Sequence, residues 1–384
     1  MSNKTRRICV PLSTRGNYGK LKSTLKEINN FKNVELQIII AGGLVLESYG
    51  DFKSVIKDDG FKISGEIPFL SEGDSTEIMS IASGSAQIQF SKLIANLKPD
   101  IIFITADRFE SLSFAQTALC MNCLIAHLEG GEVSGSIDER IRHAITKLSH
   151  IHFVSNKESA KRVLKMGEIE ENIIISGNPS IDLINKIDFN NQTDLKKYLE
   201  GKKINFDCKE PYLVVSQHPV VTEVEYAEKQ IELTFEALKD FNLPKIWILP
   251  NPDAGNLKTI KFLKKNTKNL ENSFFIINSL PLELYAKLLK GSKCLVGNSS
   301  SGIRECSYLG VPSVNIGNRQ FGRLRGPNTI DTRHNVDEIK NSIKKQLEHG
   351  LYPPSDIYGK GNSGKIIANH LSHCDLFLEK TITY

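Results

Sequence analysis

The chain is 384 residues long, more than a single hydrophobic core usually spans, so two domains are expected. Its 40% hydrophobic and 24% charged content is that of an ordinary soluble globular protein, and no apolar run approaches the roughly 20 residues of a membrane span, which argues against a membrane protein. The net charge of +5 is spread along the chain instead of gathering with aromatic residues, so no nucleic-acid surface is expected; a local patch suffices for an anionic nucleotide ligand.

In chain order, the basic start runs directly into a strand-like segment at residues 8–12, with no long apolar leader, which predicts a cytoplasmic protein. A helix near 19–29 and a strand at 36–41 follow. The pattern repeats as strand 101–105, helix 109–121, strand 124–127, helix 136–148 and strand 151–154. The strands are apolar throughout, the mark of parallel strands covered on both faces. Residues 185–210 are polar and rich in Asn and Lys, and a linker is placed near 186–206. Strands then resume at 212–216, 245–250, 274–277, 294–297 and 313–316, and a last helix around 365–379 is a candidate to cross back to the first domain. The expected divisions are 1–186, 207–362 and a C-terminal helix in 363–384. The fold class is α/β: two Rossmann-like doubly wound domains facing a cleft, a glycosyltransferase-B-like architecture, with one long sheet as the alternative.

Seven cysteines, Cys9, Cys120, Cys123, Cys208, Cys294, Cys306 and Cys374, are scattered among apolar neighbours and read as reduced thiols. Cys120 and Cys123 form a CxxC with no second pair at zinc spacing, so neither a metal nor a cofactor is expected.

Three carboxylates, Asp107, Glu129 and Asp138, lie just beyond strand patterns, where ligands bind in open α/β sheets, and they are expected to converge on one crevice. The plainer reading makes Glu129 a loop acid and Asp138 a helix N-terminal carboxylate. The run Gly297-Asn298-Ser299-Ser300-Ser301-Gly302-Ile303-Arg304-Glu305 follows a strand and opens a helix. Its serines can cap that helix while free amides meet a diphosphate, or can cap it for structure alone. Glu305, one to two turns in, can reach a ribose hydroxyl; Arg319, after the next strand, can neutralise phosphate; His218 follows a strand and can donate to the same ligand. With the loop Ser13-Thr14-Arg15-Gly16-Asn17-Tyr18-Gly19-Lys20, these residues suit a nucleotide sugar. The spacings GxxxxGK[ST] and GxGxxG are both absent, which removes the usual support for an NTPase or a nicotinamide oxidoreductase.

Four ordered blocks carry a resemblance: Asp107-Arg108-Phe109-Glu110, His127-Leu128-Glu129-Gly130-Gly131-Glu132-Val133-Ser134-Gly135, Ser149-His150-Ile151-His152, and Gly297-Asn298-Ser299-Ser300 with Gly302-Ile303-Arg304-Glu305. Over residues 6–345 the chain resembles the hydrolysing UDP-N-acetylglucosamine 2-epimerases of sialic and legionaminic acid biosynthesis. The resemblance implies catalytic roles for Asp107, Glu129, Asp138 and His218, and substrate contacts for Arg15, Lys20, Arg108, Arg142, His143, Asn251, Ser299, Ser300, Glu305 and Arg319. It also implies a nucleotide-sugar substrate, UDP- or GDP-linked, no cofactor, and a homodimer or homotetramer. The sequence departs from the family pattern twice: Arg15-Gly16-Asn17-Tyr18 stands where Arg-Ala-Asp is usual, and Ala106-Asp107-Arg108 where Gly-Asp-Arg is usual. Both changes bear on the sugar pocket.

Overall fold

The computed structural model describes residues 5–47, 50–70, 73, 75–105, 107–204, 206–251, 253–268, 270 and 273–383. They fall into two units, one of Met1–Glu132, Ile137–Leu183 and Tyr358–Tyr384, the other of Val133–Ser136 and Ile184–Ile357.

The first unit runs β1 (Arg6–Leu12), α1 (Arg15–Asn29), β2 (Val34–Ala41), α2 (Phe52–Asp58), β3 (Ile63–Ile67), α3 (Thr76–Leu97), β4 (Ile101–Thr105), α4 (Phe109–Cys120), β5 (Leu124–Leu128), α5 (Asp138–Leu148), β6 (Ile151–Val154), α6 (Lys157–Lys165), β7 (Ile173–Ile175) and α7 (Ser180–Ile184). Its strands form one parallel sheet in the order β3-β2-β1-β4-β5-β6-β7. Every residue of β4, β5 and β6 is buried, which is why these strands read as unbroken apolar runs. Helices cover both faces: Leu21, Leu25 and Ile28 of α1 pack on one, and Ala82, Ala86 and Phe90 of α3 on the other.

The second unit runs α8 (Thr193–Gly201), β8 (Leu213–Ser216), α9 (Ala227–Lys239), β9 (Lys245–Ile248), α10 (Asn256–Thr267), β10 (Phe274–Ile277), α11 (Leu282–Gly291), β11 (Cys294–Gly297), α12 (Glu305–Leu309), β12 (Ser313–Ile316), β13 (Thr329–Thr332) and α13 (Val336–His349). Its sheet is also parallel, in the order β10-β9-β8-β11-β12-β13. Both sheets therefore share the order of the doubly wound dinucleotide fold, reversing direction beside their first strand, between β1 and β4 and between β8 and β11.

Two expected segments differ. The stretch taken as a linker contains α8, whose Leu195 and Leu199 are buried although most of its residues are polar. The last helix, α14 (Ser363–His373), stops short of residue 379 because Cys374 adopts an extended conformation. It belongs to the first unit, where Ile367, Ala368 and Leu371 join the core beneath β1 and β2. Its first amides, Ser363 N and Gly364 N, donate to the Asp182 carboxylate at 2.9 and 2.6 Å, a cap supplied from α7.

The chain after α14 is tied to the amino-terminal end of β6. Glu168, almost fully buried, accepts from His152 Nε2 at 3.0 Å, Lys147 Nζ at 2.6 Å and Lys380 Nζ at 2.6 Å. Burial alone raises its carboxyl, but these three donors outweigh it and hold the group at about 2, against an ordinary 4.5. A depressed folded value means stability that is present above pH 4.5 and lost as pH falls toward 2. We expect Glu168→Gln to lower stability at pH 7 by on the order of 3 kcal/mol. In melting curves at stepped pH, the gap between wild type and variant should close below pH 4.5; a gap that stays constant would refute the linkage.

Among the described residues no helix is long and apolar enough to cross a membrane.

Candidate active site

In the first unit, candidate residues gather at the carboxyl ends of β1, β4 and β5. Thr105 pairs with Leu128, so β4 and β5 end level with one another, and Asp107 and Glu129 leave the sheet side by side. Asp107 is bound by the guanidinium of Arg142 from α5. Arg142 is completely buried; it also donates to Glu139 Oε2 at 2.7 Å and to the Glu132 carbonyl at 3.0 Å. Burial opposes its charge, but Asp107, Glu132 and Glu139 more than compensate and push its proton affinity above the ordinary arginine value. Arg142 has no exposed surface, and Asp107, Glu139 and the Glu132 carbonyl hold its guanidinium from within the protein. His143, partly exposed, shares Glu139 through Nε2 at 2.8 Å. Asp138 is the first residue of α5, where an acid complements the helix dipole.

Glu129 is 1% exposed and sits at φ +69°, the left-handed region that non-glycine residues avoid. Its Oε1 accepts from Lys20 Nζ at 2.7 Å and from Asn178 Nδ2 at 2.6 Å. Lys20 comes from α1, which Thr14 caps by accepting the Asn17 amide at 3.2 Å, and Arg15 opens that helix. The unusual Asn17 is buried, its Oδ1 accepting from Ser13 and Thr14, so it completes this turn. Arg108 donates through Nε to Glu110 Oε1 at 2.6 Å and lies over the Phe109 ring. Ala106, the other departure, lies outside the described residues.

In the second unit, His218 follows β8, Asn251 follows β9, Ser299 and Ser300 follow β11, and Arg319 follows β12, all at carboxyl ends. Asn298 joins three of these loops. Its Oδ1 accepts the His218 amide at 2.7 Å, its Nδ2 donates to the His218 carbonyl at 2.8 Å, and its own carbonyl accepts from Arg319 at 3.2 Å and Gln320 at 2.9 Å. The segment Val133–Ser136, between Glu129 and Asp138 in sequence, belongs to this unit. There the Gly135 amide donates to the Arg319 carbonyl at 3.0 Å, and a Cβ on Gly135 would come within 1.9 Å of the Asn318 carbonyl oxygen.

The serine-rich loop departs from expectation. Ser299 caps only a single tight turn, residues Ser300–Gly302, and α12 is five residues long with Glu305 at its start. The Asn298 and Ser299 amides both donate to the Ser216 carbonyl, and those of Gly302, Ile303 and Arg304 are also bonded within the loop. The expectation of free amides at the start of this helix, with Glu305 one to two turns in, is thus corrected: this loop offers side chains, with Glu305 Oε2 buried and without a protein partner. The block Ser149-His150-Ile151-His152 stands at the amino-terminal end of β6, the opposite end from the carboxyl-end loops, where His152 holds Glu168. Sequence reasoning missed Asn178 and Asn298, whose only local signal is an Asn beside a Gly in a post-strand loop. Among the described residues no cluster of His, Cys, Asp or Glu could hold a metal, and all seven cysteines are unbridged.

A family model described as UDP-N-acetylglucosamine 2-epimerase matches residues 26–372. A hydrolysing GDP/UDP-N,N'-diacetylbacillosamine 2-epimerase of Campylobacter jejuni is 35% identical over 88% of this chain and 87% of its own. A UDP-N-acetylglucosamine 2-epimerase of Neisseria meningitidis is 32% identical over 93% of this chain and 92% of its own. In fold, the chain matches the crystal structure of Methanocaldococcus jannaschii UDP-GlcNAc 2-epimerase in complex with UDP-GlcNAc and UDP, with a TM-score of 0.79 at 18% identity over 95% of this chain and 99% of that one. Two parallel sheets of shared strand order, and a family match that runs from α1 to α14, lead to one conclusion: the chain belongs to the UDP-N-acetylglucosamine 2-epimerase family.

Proposed function

We propose that the protein is a hydrolysing 2-epimerase that converts UDP-N-acetylglucosamine, or a related UDP-2-acetamido sugar, to UDP and the free manno-configured sugar. The observation that carries this reading is the pair of carboxylates at the ends of β4 and β5, each tied to its own cation, Asp107 to Arg142 and Glu129 to Lys20.

The chemistry needs both carboxylates and cations. In an α-linked substrate the diphosphate at C1 and the hydrogen at C2 are both axial on opposite faces, set for anti elimination. The C2 hydrogen is not adjacent to a carbonyl, so departure of the diphosphate must lead. Arg319 and His218, with Ser299 and Ser300 beside them, stabilise the leaving diphosphate, and oxocarbenium character at C1 then acidifies C2. A carboxylate takes the C2 proton, leaving a 2-acetamidoglucal and UDP. Water adds its hydroxyl at C1 while an acid delivers a proton to C2 from the other face, giving the manno sugar. Asp107, Glu129 and Asp138 supply these proton transfers. Arg142 and His143 act through Asp107 and Glu139. Glu305 and Asn251 serve the nucleoside, and Arg15, Lys20 and Arg108 the charged sugar end. No step requires a metal.

A second reading takes a nucleotide-linked 2,4-diacetamido-2,4,6-trideoxy sugar, and the activity for which the Campylobacter relative is named favours it. The test is proton NMR in D₂O with UDP-N-acetylglucosamine and the UDP-diacetamido sugar in parallel. Free manno sugar plus UDP, deuterated at C2 and insensitive to EDTA, is the expected result, and the faster substrate decides between the two readings. Intact UDP-sugar deuterated at C2 would mean the non-hydrolysing epimerase, and release of UDP only with an added acceptor would mean a glycosyltransferase. Cytoplasmic location and a homodimer or homotetramer belong to the same proposal.

A further inference from the structure

We infer that Asn178 is a positioning residue for Glu129, an inference that rests on the proposed proton-transfer role of that carboxylate. Asn178 lies in Gly177-Asn178-Pro179-Ser180, between β7 and α7, forty-nine positions from Glu129 in sequence, and has no exposed surface. Its Nδ2 donates to Glu129 Oε1 at 2.6 Å, its Oδ1 accepts the Ser180 amide at 3.0 Å, and its own amide donates to the Tyr358 carbonyl at 2.7 Å. These bonds fix the carboxamide: flipping it would turn Oδ1 on the carboxylate and the amino group on a backbone N–H, losing both.

Glu129 needs such a holder. Its left-handed backbone is an uncommon conformation that surrounding contacts must maintain, and it points the side chain away from the direction a regular strand exit would give. Lys20 alone is a rotatable point charge and does not set the plane of a carboxylate. The rigid carboxamide adds a second, directional donor on the same oxygen, and together the two hold Oε1 in place. A carboxylate that moves protons to and from one face of a sugar ring depends on that placement, and small misplacements are costly.

The Oδ1 and Nδ2 roles separate cleanly by substitution. Asn178→Asp keeps an oxygen to cap the Ser180 amide but replaces the donor to Glu129 with an acceptor, whereas Asn178→Ala removes both. At pH 7.5 we expect Asn178→Asp to lower kcat about 100-fold with KM within about twofold. The introduced carboxyl faces the Glu129 carboxylate, with the Lys20 ammonium beside them, and once protonated it can donate. The deficit relative to wild type should therefore shrink at least about fivefold between pH 7.5 and 5.5. Inactive or partly unfolded protein would show no such recovery.

Wild-type kcat in Asn178→Asp at pH 7.5 would overturn the inference, as would a change confined to KM or a deficit independent of pH. Glu129→Gln is measured alongside to separate two failures. If that variant retains turnover, the role given to Glu129 fails and this inference with it. If it is inactive while Asn178→Asp is normal, only the inference fails. No turnover by wild type of either nucleotide sugar would overturn both.

Discussion

Asp107→Asn should lower kcat by about a thousandfold while UDP affinity stays within about twofold of wild type. The amide can neither take nor deliver the proton, whichever half of the reaction Asp107 serves. The nucleotide ligands proposed for UDP, among them His218, Ser299 and Arg319, belong to the other unit and are untouched. The side chain is also the first partner of a fully buried guanidinium, so the variant carries a stability cost of about 1–3 kcal/mol, moderated because Glu139 and the Glu132 carbonyl still hold Arg142. Single-turnover kinetics with UDP calorimetry on the same sample separates the two effects. Turnover within tenfold of wild type would remove Asp107 from the chemistry.

Gly297→Ala should be severely disruptive to the second unit. Gly297 ends β11 at φ +137°, and a Cβ there would lie 2.1 Å from the Ser216 carbonyl oxygen and 2.6 Å from its carbon. These are backbone atoms of the adjacent strand, so no rotamer change relieves the overlap. The same Ser216 carbonyl accepts the Asn298 and Ser299 amides, so pushing it away undoes the joint between the β8 and β11 loops and displaces His218 and Ser299 together. We expect a loss of more than about 3 kcal/mol and at least about a hundredfold in UDP affinity. Thermal melts with UDP titration measure both; an unchanged melting point and affinity would mean that the loop adapts.

How far the sequence could be read follows from what each segment buries. β4, β5 and β6 were legible almost to the residue because both faces are covered and every position is apolar. β3, at the edge and mostly part-exposed in Ile63-Ser64-Gly65-Glu66-Ile67, carries no such run, and neither does the three-residue β7. α3 went unread because Ser, Ala and Gly84 dilute its periodicity, and α8 because two buried leucines are outnumbered by polar residues. At the candidate site, position after a strand singled out Asp107, Glu129 and His218, and the structure places them beyond β4, β5 and β8, since a doubly wound sheet exposes those loops whatever their sequence. What was invisible is which residue holds which: Asn178 on Glu129, Arg142 beneath Asp107, Asn298 across three loops. Those pairings are set by strand order and register, which composition does not encode.

The placement of α14 in the first unit makes that unit depend on the last-made part of the described chain. The ribosome makes β1–β7 first, yet the cover over β1 and β2 includes Ile367, Ala368 and Leu371, and Asp182 receives its two amides only from Ser363 and Gly364. The whole of Ile184–Ile357 must be synthesised in between, roughly 10–35 seconds at about 5–20 residues per second. Until residues 363–371 are made, the first unit therefore lacks part of the cover over β1 and β2 and the two amides that Asp182 accepts.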